Sequence, residues 1–473
     1  VIFGLTFLPA LLGMLGPRVN RLTIRGALAA VRGRGHLDAH ASDAPGTERA
    51  VQPEHSRWER VARGVMAHPI AVLLPTLLIL LAVGTPFLRI NQQVPDASVL
   101  PAGRESRDAL VALRNEFPDS GSSPFVILAD VAGDPTTEQN IAAVRAYTSE
   151  IAALKPQVTS IVSPFASDQL VDPTTGAPFT AAQLAQMFAA PASSLPPQLL
   201  QLRTFLESYI SGSTVRVDAY TTVDPTTGEG IDFTRTLRTV PLSAGVSSAE
   251  VGGYIAGNYD TLTSMRERTP WAVGVTMLVS AIVLFLLFGS IVIPIKAVFM
   301  TLLSITASFG ALVWIFQEGN LHDVLNFTPL GYTIAGNPII MFAVIFGLSM
   351  DYEVLLLSRV QEAYRRTNDN TASVAEGLAR TASVITGAAL IMVSVFAAFA
   401  LAETITIKSI GVGMAIAVLV DATVIRVLLV PSTMRLLGRW NWWAPGPLGR
   451  LADRLGFSHV EDAEELAPRP AAS

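Results

Sequence analysis

The stretch that most limits the fold is an apolar run, Ile339 to Met350, that leads into GLSMDYEVLLLSR at 347–359 and there meets Asp351, Tyr352 and Glu353 before more leucines. As a helix, this run crosses most of a hydrocarbon core roughly 30 Å thick. A carboxylate near the centre of a membrane helix costs roughly 2.5–3.5 kcal/mol on the insertion scale, so such residues face a bundle interior and mark ion or proton paths. Asp351 is therefore the first candidate for chemistry. A plainer alternative puts Asp351 near the cytoplasmic end, where it snorkels or pairs with Arg359 and does nothing more. Glu353 lies two residues, about 200°, further round the helix. It is expected to point away from Asp351, toward the headgroups or Arg359.

Half of the residues are hydrophobic, 15% are charged and the mean hydropathy is +0.45, which places the chain among membrane proteins. The net charge of −5 decides little, because orientation is read from Arg and Lys loop by loop. With no cysteine, disulfides, thiol catalysis and cysteine metal sites are excluded. No nucleotide-binding P-loop occurs, so ATP does not drive the chain directly.

Taken in order, residues 1–15 read as the end of a transmembrane helix, too short to span alone and without the features of a signal peptide. Residues 16–66, rich in Arg, read as a cytoplasmic linker rather than a nucleic-acid surface; SRWERVARGVMAHP within it is an amphipathic helix at the inner face. Residues 67–88 are a transmembrane helix that carries the chain outward. Residues 89–268 lose membrane character and alternate strands (124–131, 158–165, 214–223) with helices (137–154, 181–188), which predicts an extracytoplasmic α+β domain of split βαβ type. DPTT recurs there at 134–137, 172–175 and 224–227, and Asp before Pro explains each copy as a local turn or cap. Residues 269–436 hold five further spans, at 271–289, 295–316, 338–357, 384–402 and 408–434, and 437–473 form a cytoplasmic tail that opens with Trp440, Trp442 and Trp443 as interface anchors. His322 and Asp323, in the loop after the third of the six full spans, lack a third ligand, so no metal is expected; no cofactor is expected either. The fold class is thus a membrane α-helical bundle, six full transmembrane helices plus the end of one more, with one extracytoplasmic α+β domain, in a multi-pass membrane protein; the family resemblance carried by 347–359, 380–400 and 410–443 implies that this domain is porter-type and the membrane the bacterial plasma (inner) membrane.

GLSMDYEVLLLSR, RTASVITGAALIMVSVFAAFA at 380–400 and IGVGMAIAVLVDATVIRVLLVPSTMRLLGRWNWW at 410–443 resemble the C-terminal half of the MMPL family, a branch of the resistance, nodulation and division (RND) transporters. The resemblance implies an N-terminal half absent from this sequence, whose sixth helix would end in the LPALL at 8–12. It implies a proton relay in which Asp351 and Tyr352 face an equivalent pair on the family's fourth helix. It also implies export, driven by the proton-motive force, of lipids or other hydrophobic and amphiphilic small molecules, by a secondary transporter and not an enzyme. Leu237, Arg238, Gly252, Gly253, Ala256 and Asp260 fall on recurring positions of the family's porter domain, where the glycine pair lets a strand bend or approach closely.

The second acid within the spans is Asp421, in AVLVDATVIRVLL. Arg426, five residues on, lies roughly 140° round an α-helix, a poor geometry for a direct pair. Asp421 is open to relay support or to a packing role. Of the small polar residues on the preceding helix, Thr386 is assigned to the path, while Thr381, Ser383 and Ser394 are read as helix packing. Two other readings compete. An intramembrane aspartyl protease would need a Tyr-Asp order and a Gly-x-Gly-Asp motif, neither of which matches here. A non-transporting lipid-binding or scaffold protein, or an inactive half-transporter, needs no relay, yet Asp351 and Tyr352 are present.

Overall fold

The computed structural model describes residues 57–116, 123–166, 170–172, 176–223, 228–446 and 448. The helix end expected at 1–15, most of the linker, the greater part of the second DPTT copy, the whole of the third, and the tail beyond 448 lie outside the described residues.

Helix α1 (Arg57–Ala67) buries Ala62, Val65 and Met66 along one face. After a bend at His68 it gives way to α2 (Pro69–Gly84), whose first residue needs no N–H partner, and α2 closes in a 3-10 turn at Thr85–Arg89. Strand β1 (Gln92–Gln93) and helix α3 (Glu105–Glu116) lead into the α+β domain.

That domain runs β2 (Phe125–Val131), α4 (Glu138–Ala152), β3 (Val158–Val162), α5 (Ala181–Ala189), α6 (Pro197–Glu207), β4 (Ile210–Ser211), β5 (Thr214–Thr221), α7 (Gly228–Arg238) and β6 (Val246–Gly252). The sheet order is β3-β5-β2-β6, with β4 paired to β5 and every pairing antiparallel. Because β5 lies between β2 and β3, and β2 between β5 and β6, two βαβ units interleave, the split arrangement expected. Strand alternation puts Phe125, Ile127, Ala129 and Val131 on the buried face, packed with Ile141, Val144, Tyr147 and Ile151 of α4. At the first DPTT, Asp134 accepts from the Thr136 N–H at 2.8 Å and Thr137 caps α4, a purely local role. Gly253, at φ +97°, turns the chain out of β6; a Cβ there would stand 2.9 Å from the Pro124 carbonyl oxygen.

The helical part comprises α8 (Tyr254–Phe288), α9 (Val292–Leu312) with a π turn at Val313–Gln317, the short α10 (His322–Leu325), β7 (Thr333–Ile334), α11 (Gly336–Thr367), α12 (Asn370–Ala398) and α13 (Ile405–Val420), which passes through a π-helical segment, Asp421–Leu429, into α14 (Val430–Leu437). Six of the described helices are long and apolar enough to cross a membrane. Three of them clearly outrun the spans predicted from apolarity: α8 begins at Tyr254, α11 continues to Thr367, where Asn368 ends it in a left-handed conformation, and α12 begins at Asn370. Helix α9 is the centre, with 67% of its most apolar window buried against 11% in α8 and α12. It meets α2 at Gly84 and Gly310, where a Cβ on Gly310 would overlap the Val83 backbone.

At the outer end, β1 pairs with β7, the Ala335 N–H donates to Gln93 O at 3.0 Å, and Gln317 bonds the chain leaving α2 at Asn91 N and Arg89 O, each 2.9 Å. At the inner end, Ser290 Oγ donates to Asn441 O at 2.7 Å and Gln361 Nε2 to Phe288 O at 3.0 Å.

Candidate functional site

Helix α11 presents two different faces at the stretch that opened the sequence argument. Ser349 and Glu353, one turn apart, point into the bundle and are buried. Asp351, between them in sequence and about 200° from either, is exposed on the opposite face. Tyr352 is half-buried between the two. The expectation that Glu353 reaches the headgroups or Arg359 is overturned: Glu353 is 3% exposed and Arg359 pairs with Glu362 at 2.8 Å. Because α11 packs its Ser349–Glu353 face on α9 and the π segment, that face cannot also open outward.

The expectation of poor geometry between Asp421 and Arg426 is overturned as well. Arg426 Nη2 and Nε stand 3.1 and 3.3 Å from Asp421 Oδ2. The cause is the π-helical winding of 421–429, whose i→i+5 bonding stacks residues five apart as an α-helix stacks those four apart. Around this pair a network closes. Arg426 Nη2 also donates to Ser349 O at 2.6 Å, Ser349 Oγ donates to Asp421 Oδ1 at 3.1 Å, and Thr301 of α9 lies 3.4 Å from Ser349 Oγ. The Arg426 guanidinium sits 5.1 Å from the centroid of the Tyr352 ring, whose hydroxyl donates to Met392 Sδ on α12 at 3.3 Å. Asp421 and Arg426 are 5% and 2% exposed, so this is a desolvated ion pair with a satisfied carboxylate. Lys296 of α9, 7% exposed, and Glu353 complete a set of two acids and two bases, neutral in sum.

Of the residues predicted for a proton path, the structure brings Tyr352 and Asp421 together through Arg426. It places Asp351 and Thr386 on exposed faces of α11 and α12. Thr381 and Ser394 bond to carbonyls of their own helix, Gly377 O and Leu390 O, and Ser383 is exposed. Among the described residues no three His, Asp or Glu side chains gather as a metal site; His322 and Asp323 are exposed and 3.2 Å apart. At the porter domain's base Arg238 grips Asp260 of α8 with two bonds, 2.6 and 2.9 Å, and donates to Val251 O at 3.0 Å.

A family model described as the MMPL family matches residues 98–454, about three quarters of the 473 residues. The chain belongs to the MMPL family. This MMPL chain is 31% identical over 468 residues to a membrane protein of Streptomyces coelicolor, covering 99% of the chain and 54% of that protein. It is 29% identical over 473 residues to the trehalose monomycolate exporter MmpL3 of Mycolicibacterium smegmatis, covering 98% of the chain and 43% of the exporter. A heme uptake protein, MmpL11 of Mycobacterium tuberculosis, matches 51% of the chain at 37% identity, over 25% of its own length. The MMPL chain therefore spans about half the length of the curated relatives that it matches throughout. Family membership and six spans make it a multi-pass protein of the bacterial plasma membrane.

Sequence reasoning missed Arg426, Ser349, Thr301, Lys296 and the inward turn of Glu353 in this MMPL site. One signal was available. Lys296 in VIPIKAVFM and Arg426 in AVLVDATVIRVLL are lone bases within apolar helices, and such charges need buried acids as partners.

Proposed function

We propose that this chain is the C-terminal part of an RND-type secondary transporter, not an enzyme, that uses the proton-motive force to export lipids or other amphiphiles. In this reading Asp421, Arg426, Ser349 and Tyr352, together with Asp351, carry the proton. The observation that supports it best is the Asp421–Arg426 pair, hydrogen-bonded and desolvated inside a helix bundle. An acid so placed can change charge only by moving a proton. Neutralising its carboxylate frees Arg426 to rebalance toward Ser349 and Tyr352, which links protonation to the packing of α11 against the π segment.

Asp351 supports the need for a second half. A carboxylate on the outward face of an apolar helix is stable in a membrane only against a polar partner or water, and Asp351 is exposed on that face of α11. We infer that a complementary half supplies it. Thr386, also outward, lies on the same interface in this reading. One proton crossing 100 mV yields about 2.3 kcal/mol, so one or two per cycle suffice to move an amphiphile. The relatives are named for trehalose monomycolate export and for heme uptake, and the exporter matches along the whole chain, which favours export.

The test is efflux of a fluorescent amphiphile, with and without a proton gradient, from cells lacking their own RND pumps. The chain alone, the chain joined to an N-terminal half, and the joined protein with Asp421→Asn or Asp351→Asn are compared at matched abundance. Efflux from the joined protein only, lost in either variant, is expected. Gradient-driven efflux that survives both substitutions overturns the assignment.

A further inference from the structure

Below the Asp421–Arg426 pair lies a second pair that the network leaves aside. Glu353 and Lys296 are both more than nine-tenths buried, on facing helices α11 and α9. Lys296 is the strongest opposite charge acting on Glu353, followed by Arg426, with Asp421 as the like charge. Yet Lys296 Nζ and Glu353 Oε1 have no hydrogen-bond partner among the described residues; nor do Arg426 Nη1 and Ser304 Oγ. Fully buried polar atoms are nearly always satisfied, by protein or by held water. A merely structural ion pair would close its own hydrogen bonds.

The four groups stand at successive levels along the helix axes. The Gln361–Phe288 bond levels α11 with the inner turn, and Glu353 stands eight residues, about 12 Å, above it. Lys296 is one turn, about 6 Å, into α9 from the same turn. Ser349 with Asp421 lies one turn above Glu353, with Thr301 bonded at their level and Ser304 beyond.

We propose that Glu353 and Lys296 form a second proton-binding site on the inner side of the Asp421–Arg426 pair, with water held between their unpartnered atoms. The inference rests on the proton-coupled reading above. A proton handed down from the Asp421 level converts the Glu353 carboxylate to the acid, which leaves Lys296 as an ammonium without its counter-ion. Lys296 then releases a proton toward the cytoplasmic face and becomes the neutral amine. The acid protonates the amine and the ion pair returns, so one proton has moved inward with no net change in the site. Three charged groups face Glu353 in this cycle: Lys296 from α9, and Arg426 and Asp421 from the π segment.

Dicyclohexylcarbodiimide, which modifies protonated carboxyls in apolar surroundings, reads the site without requiring transport. With the chain in lipid nanodiscs at neutral pH, Lys296→Met is expected to raise modification of the Glu353 peptide about tenfold, and Glu353→Gln to abolish it. Unchanged modification in Lys296→Met overturns the pair. The double variant Glu353→Gln/Lys296→Met is neutral and similar in volume, and is expected to fold like the parent while gradient-driven efflux by the protein joined to its N-terminal half falls by at least about tenfold, the equivalent of one pKa unit of linkage. Parental efflux from the double variant reduces the pair to packing and overturns the proposal. Efflux that never depends on a gradient, with modification still responding to Lys296, overturns the transport reading and leaves the proton-binding site standing.

Discussion

Replacing Arg426 with Met strands a buried carboxylate, and the structure sets the size of the effect. The substitution removes both bonds to Asp421 Oδ2, at 3.1 and 3.3 Å, the 2.6 Å bond to Ser349 O, and the cation over Tyr352. Among the described residues Ser349 Oγ then remains as the side-chain donor to Asp421. Breaking a buried pair from one side costs about 3–5 kcal/mol, whereas replacing both members with neutral groups of similar volume is close to neutral. Arg426→Met should therefore destabilise by about 3–5 kcal/mol, and Asp421→Asn/Arg426→Met by no more than about 2 kcal/mol, a coupling of at least about 1 kcal/mol in a double-mutant cycle. Unfolding free energies from detergent titration of the four proteins give the cycle directly. Additive single effects, or an Arg426→Met protein within about 1 kcal/mol of the parent, would refute the reasoning, because the two side chains would then not be sharing one desolvated site.

Three further outcomes follow from other parts of the molecule. Deleting Val424 should convert the π segment to α-helical winding and set Arg426 four residues after Asp421, still stacked on it, so gradient-driven efflux should be kept where Asp421→Asn loses it; efflux lost as in Asp421→Asn contradicts the view that the winding serves to stack this pair. Gly310→Leu should destabilise the α2–α9 crossing by about 1–3 kcal/mol, read as a lower midpoint in the same titration, while Gly274→Leu on the open face of α8, where a Cβ meets nothing, should not. In the α+β domain the hydroxyls of Thr214 and Ser248 hold the Asp130 carboxyl below its ordinary pKa. Its contribution is therefore complete above the unfolded pKa and is lost as pH falls through the folded one, so Asp130→Asn should flatten the acid limb of the thermal unfolding curve of this protein.

The α+β domain and the six spans were legible because their signals are local: period-two alternation in PFVILADV, and long apolar runs from Pro69, Trp271 and Ile339. The site was legible only in part. Asp421 and Tyr352 could be singled out as polar groups where the membrane disfavours them, and the structure joins them through Arg426. Arg426 escaped because a rotation of 100° per residue was applied to a segment that winds more loosely, and the extra residue in that turn has no sequence mark of its own. Glu353 escaped because its helix has two possible inward faces, and only the packing of α9 and the π segment against one of them decides between Glu353 and Asp351.

The joint at the outer end of α11 has a mechanical consequence. Its first residues are held by backbone bonds to the chain leaving α2, through β1–β7 and Ala335 N to Gln93 O, and Gln317 fastens the end of α9 to the same strap. Its inner half is tied to the α8 end by one side-chain bond, Gln361 to Phe288. Helix α11, with α12 bound to its inner end through Arg366–Glu376 and Thr367–Ser373, is thus a lever with its pivot at the outer surface. Glu353 lies 17 residues, about 25 Å, along that lever from Gly336, so a tilt of only about 4° displaces it by roughly 1.7 Å, enough to make or break a hydrogen bond. Ser349, nearer the pivot, moves less, and the same swing opens the inner pair before it disturbs the upper one.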